Sequence, residues 1–83
     1  MMITKKLKAV LSLRGLTFVD YAHKLGITKQ ALNKKRTSDA YKISDLIKFG
    51  ELTNAKLQFV DEETGEILIK FNKEDLIEKE KYL

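Results

Sequence analysis

The chain contains no cysteine, no proline and only one histidine, and no apolar run approaches the roughly 18 residues that a membrane span needs. Without cysteine, disulfides, thiolate zinc centres and cysteine nucleophiles are excluded, and the core must hold without covalent staples. The lone His23 has no second histidine with which to chelate a metal or complete a triad. With no proline, no repeat and no low-complexity stretch, the sequence offers no obvious linker. Near the start, the apolar stretch Ala9 to Leu13 is interrupted by Ser12 and followed by Arg14 rather than by a small-residue cleavage site. It therefore reads as part of an amphipathic helix and not as a leader. These absences lead to the expectation of a soluble protein of the reducing cytoplasm, with no membrane partner.

What is present suits one small domain. Eighty-three residues, 43% hydrophobic and 34% charged, are too apolar for intrinsic disorder and too few for two separate cores. The net charge of +4 conceals a division. Residues 1–49 carry eleven lysines and arginines against three acids, a balance of +8, whereas residues 50–83 carry five lysines against nine acids, a balance of −4. A basic half joined to an acidic half suggests that one end meets a polyanion and the other does not.

The periodicity predicts four helices and a hairpin. Ile3, Leu7, Val10, Leu11 and Arg14 follow helical spacing over about residues 3 to 14, and Gly15 ends the run. Thr17 is placed to cap a second helix, with Asp20 as its N3 acid and Leu16 stapled onto Tyr21. That helix turns Tyr21, Ala22 and Leu25 inward and stops at Gly26, where Ile27 plugs the turn. Thr28 caps a third helix from Lys29 to about Arg36 with Ala31 and Leu32 inward, and Thr37, Ser38 and Asp39 are expected to break it. Ser44 is the expected cap of a fourth helix, with Ile43 as the staple outside it and Leu46, Ile47, Phe49 and Leu52 on its apolar face, ending near Thr53 and Asn54. From Lys56 the period changes to two. Leu57 and Phe59, the turn DEETGE with Gly65, and then Ile67, Ile69 and Phe71 read as a two-stranded hairpin with a bulge or a type I turn. Asn72, with Asp75 three positions on, caps a last short helix through Leu76, Ile77 and Tyr82.

Two short helices joined by a glycine turn, the second polar and basic outward, form a helix-turn-helix. Ala22 is small where the helices cross, Gly26 turns the chain, and Leu25, Ile27 and Leu32 fill the wedge. On the words LKAVLSLRGLT, DYAHKLGITKQAL and ISDLIKF, the chain from about Ile3 to Thr53 resembles the Cro/C1-type phage repressors, also called the XRE family. The appended hairpin is similar to that of small phage or mobile-element members. The resemblance implies a mostly α fold: a four-helix lambda-repressor-like helix-turn-helix domain over residues 1–54, then a ribbon and short helix over residues 55–83 as part of the same compact unit. It also implies a homodimer joined through the ribbon, with Phe59, Val60, Leu68, Ile69 and Phe71 at the interface.

Carried over by position, Lys29, Gln30, Asn33 and Lys34 are expected to reach base edges in the major groove of double-stranded DNA. Gln and Asn suit adenine, and Lys suits the acceptors of guanine. Thr17, Thr28, Lys35, Arg36, Arg14, Lys5 and Lys6 are expected to contact phosphate. Two positions depart from the family pattern. The first residue of the motif's first helix is often a glutamine that touches phosphate, and here it is Phe18. Near the end of the third helix, where an apolar residue often docks, this chain has Lys35 and Arg36.

The acids Asp61, Glu62, Glu63 and Glu66 lack the ligand order of a calcium loop and read as a solvated turn. No paired carboxylates in a concave apolar site are implied, so no enzyme, cofactor or metal is expected. Two function classes follow: a sequence-specific DNA-binding transcriptional regulator, expected to repress by occlusion, and, as the alternative, a protein-binding adaptor of antirepressor or antitoxin-like kind on the same scaffold.

Overall fold

The computed structural model describes residues 2–76. Four helices, α1 (Met2–Leu13), α2 (Phe18–Leu25), α3 (Lys29–Ser38) and α4 (Ile43–Thr53), precede a two-stranded antiparallel ribbon of β1 (Leu57–Val60) and β2 (Ile67–Phe71). Residues 73–76 then open a short terminal helix. Asn72 caps it as the spacing predicts: its Oδ1 accepts the Glu74 N–H, and Asp75 Oδ2 accepts the Asn72 N–H. Ile77 and Tyr82, expected on that helix, lie outside the described residues.

The core gathers Leu7, Leu11, Tyr21, Ala22, Leu32 and Phe49, one or two residues from each helix. Tyr21 and Phe49 meet edge to face at 5.0 Å, the arrangement that the ring quadrupoles favour. Tyr21 is completely buried, and its hydroxyl donates to the Asp45 carbonyl at 2.7 Å. That bond removes the penalty of an unsatisfied buried phenol. Burial, reinforced by the nearby Asp45 charge, pushes the phenol well above its ordinary pKa.

Three local expectations are corrected. Thr4, not Ile3, completes the buried stripe of α1; Ile3 is exposed. Thr4 can be buried because its polar atoms are satisfied. Its hydroxyl donates to Asp39 Oδ1 at 2.8 Å and meets the Tyr41 hydroxyl at 2.7 Å. The N–H groups of Thr4 and Ile3 donate to the two Asp39 carboxylate oxygens. Asp39 therefore ends α3 in a left-handed conformation and, with its side chain, caps the start of α1. Desolvation acts to raise the Asp39 pKa, but the Thr4 N–H and hydroxyl and the Ile3 N–H outweigh it and bring it down to about 2.

The second correction concerns the end of α3. Thr37 and Ser38 do not break the helix, because their hydroxyls donate back to the Asn33 and Lys34 carbonyls at 2.8 Å. The third concerns α4, whose N-cap is Lys42; Ser44 lies inside the helix and Ile43 is half exposed rather than stapled. A lysine side chain accepts no hydrogen bond, so the cap is one-sided: Asp45 Oδ2 receives the Lys42 N–H at 2.9 Å. Starting the helix two residues earlier than a Ser44 cap would puts Asp45 at the N3 position, where its carboxylate serves both this cap and Lys35.

After α4, Asn54 turns the chain in the left-handed region and the Ala55 N–H returns to the Gly50 carbonyl at 2.8 Å. A Cβ on Gly50 would lie 2.9 Å from the Ala55 carbonyl oxygen, so the absence of a side chain there lets the ribbon approach α4. Leu57 and Phe71 pair at the base of the ribbon and are half-buried. Beyond them Gln58 pairs with Lys70, Phe59 with Ile69 and Val60 with Ile67, with a bulge at Leu68. The turn is held by Asp61, whose Oδ1 accepts the Glu63 and Thr64 N–H groups; these bonds lower its pKa.

Candidate nucleic-acid interface

The angle between α2 and α3 follows from five residues. Gly26 takes φ +69°, which only glycine adopts without penalty. The Ile27 N–H closes back to the Ala22 carbonyl at 3.1 Å. Ala22 and Leu32 are buried at the crossing, and Leu25 and Ile27 pack on the same core. The structure brings together all five residues expected to scaffold the motif.

The two helix starts differ in charge. Thr17 and Asp20 form a reciprocal box at α2: the Thr17 N–H and hydroxyl both donate to Asp20 Oδ2. The Thr17 hydroxyl hydrogen is thus already engaged by a carboxylate, which also repels an incoming phosphate. At α3, Thr28 accepts the Ala31 N–H at 3.1 Å, and the first turn carries no acid. The Thr28 hydroxyl hydrogen has no acceptor among the described residues, and the amide dipoles behind it stay uncompensated.

On α3, Lys29, Gln30, Asn33 and Lys34 are exposed while Leu32 faces the core. By helical phase, Gln30 and Lys34 stand at the centre of the outward face and Lys29, Asn33 and Arg36 on the flank toward α2. Between that flank and the first turn of α2 lies a cleft of about 350 Å³, walled by Phe18 and Val19 on one side and Lys29, Gln30, Asn33 and Arg36 on the other.

The two expected departures from the family pattern have separate structural outcomes. Lys35 projects from the other side of α3, and its ammonium binds Asp45 Oδ2 at 2.9 Å. It docks the helix end onto α4 through an ion pair instead of an apolar contact, and a phosphate contact by Lys35 requires breaking that pair. Arg36 stacks on Phe18, with Cζ 4.0 Å from the ring centroid. Phe18 and Arg36 are each visible in the sequence as departures, but 18 positions separate them and no local pattern joins them. Asp45, Asp39 and Thr4 were likewise missed as positioning groups; the only signal was that each could pair with a cap or a cation.

Lys5, Lys6 and Arg14 are exposed on α1 and just beyond it. On the ribbon, Phe59, Val60, Leu68 and Ile69 are exposed, as is Ile67. Phe71 differs from them. It is half-buried at the ribbon base, beside Ile47 and Leu57 in a groove on α4, with its ring edge-on to Phe59 at 6.0 Å. Among the described residues no helix is long and apolar enough to cross a membrane, and no three His, Cys, Asp or Glu side chains cluster to hold a metal. Comparison with protein-family models, with curated proteins and with solved structures gives no match.

Proposed function

We propose that the protein is a sequence-specific double-stranded DNA-binding regulator of transcription, without enzymatic activity or cofactor, that represses by occluding its site. The observation that carries this reading is the exposed, acid-free start of α3. Lys29, Gln30, Asn33 and Lys34 stand there on a glycine-turned pair of helices beside an open cleft. An α-helix fits the major groove, and amide and ammonium side chains at its N-terminal end suit base edges. Phosphate contacts fall to Thr28, Arg36, Arg14, Lys5 and Lys6. In a dimer, two copies of α3 would enter successive major grooves, about 34 Å apart.

Equilibrium binding to a random-sequence duplex tests this. At low salt the protein binds, and if a dimer makes six to ten phosphate contacts its affinity falls by roughly 10³-fold or more between 50 and 200 mM salt. Absence of binding at low salt opposes the reading. One observation favours an adaptor instead: the ribbon presents five large apolar side chains to solvent beside an acidic turn, as a protein-docking surface does. A discrete heteromeric complex formed through that ribbon, from a protein that fails to bind DNA, would support the adaptor.

A further inference from the structure

The Arg36 guanidinium is held in an unusual state for a surface cation. Its Cζ lies over the Phe18 ring, 4.0 Å from the centroid, the residue is half-buried, and its Nε is buried without a hydrogen-bond partner. Among the described residues no carboxylate pairs with it. Lys35, one residue earlier, has its charge matched by Asp45, so the difference is not a general feature of this helix end. Balanced, among the described residues, by a ring quadrupole and no carboxylate, this half-buried arginine has lost water without gaining an anion from them. It has also given up rotamer freedom before any ligand arrives, which lowers the entropy lost on binding.

We infer that Phe18 is a positioning residue for Arg36, and that the stacked pair is a preformed clip for one backbone phosphodiester at the rim of the α2–α3 cleft. The planar fork of arginine matches two phosphate oxygens. Arg36 shares its flank of α3 with Lys29 and Asn33, and the cleft with Gln30. A phosphate fixed there would set the register at which those side chains meet the bases, since backbone contacts position and base contacts specify. The inference rests on the DNA-binding reading and adds to it an uncharged residue that controls a phosphate contact. The competing role is packing alone, with the ring merely covering the arginine stem.

Dissociation constants for one selected duplex over a range of salt, on protein shown to be folded by circular dichroism, separate the two roles. Phe18→Leu keeps apolar volume and removes no charge. It should nevertheless weaken binding about 3- to 10-fold and reduce the salt slope by about one phosphate. Phe18→Tyr, which retains the ring face, should restore wild-type behaviour. In an Arg36→Ala background, Phe18→Leu should change nothing further. Arg36→Lys asks the same question without touching the core-packed ring: it keeps the charge, loses the planar stack and should lose affinity. Equal losses from Phe18→Leu with and without Arg36, an unchanged salt slope, or full affinity in Arg36→Lys would overturn the clip while leaving DNA binding intact. No binding by the wild type at low salt would overturn both.

Discussion

Gly50 lies inside α4, a position where glycine ordinarily weakens a helix by about 1 kcal/mol relative to alanine. Here the sign reverses. The added Cβ would meet the Ala55 carbonyl oxygen at 2.9 Å, and that oxygen belongs to a backbone fixed by its own hydrogen bond to Gly50. Gly50→Ala should therefore destabilise the fold by about 1–3 kcal/mol, read as a lower midpoint in urea unfolding; a raised midpoint would show that the ribbon can move off α4. Nothing in the local sequence distinguished this glycine from a tolerated one, because the atom it avoids arrives only when the chain folds back. The same holds for Thr4, whose partner Asp39 lies 35 positions away, and for Asp45, which takes Lys35 and the Lys42 N–H together. Single residues that join distant elements carry no periodic signal. Residues repeated along one element do, and Leu7, Leu11, Leu32 and Phe49 were legible for that reason.

At the scale of elements, helix starts were read correctly where a threonine supplies the cap. Thr17 with Asp20, and Thr28 alone, act as their spacing indicates. The α4 start lies two residues before the one that a Ser44 cap implies, because a carboxylate at N3 and a cross-helix lysine outweigh a local serine. The α3 end was placed too early because Thr37 and Ser38 satisfy their hydroxyls within the helix. The ribbon's existence followed from alternation and the glycine turn, which left a bulge and a type I turn as alternatives; the bulge at Leu68 lies within the strand pairing and not in the turn. The ribbon's division into a docked base and a free tip did not follow, since that depends on Gly50. That division changes how association is tested. Phe71 packs at the base, whereas Phe59 is 64% exposed at the tip, and a lone two-stranded ribbon with apolar side chains in water favours pairing with another copy. Phe59→Glu should convert a dimer to monomers in light scattering at micromolar concentration and leave the helical circular dichroism unchanged. A wild type that is already monomeric there would remove the dimer.

Across the whole molecule, charge and shape divide together. The basic half forms the helical body that carries α3, and the acidic turn sits at the far end of the ribbon, so the residues with least affinity for a polyanion are held apart from the helix proposed to meet one. Along α3 itself, Leu32 and Lys35 dock it, Arg36 leans on Phe18, and Lys29, Gln30, Asn33 and Lys34 remain exposed. Gln30 stands at the centre of that exposed face, which makes it the most direct probe of base reading. The decisive measurement is the ratio of affinities for a duplex selected from random sequence and for random duplex, in the wild type and in Gln30→Ala at fixed salt. DNA reading by α3 predicts that Gln30→Ala loses about 1–3 kcal/mol on the selected duplex and almost nothing on random DNA, so the ratio collapses. An unchanged ratio would contradict it.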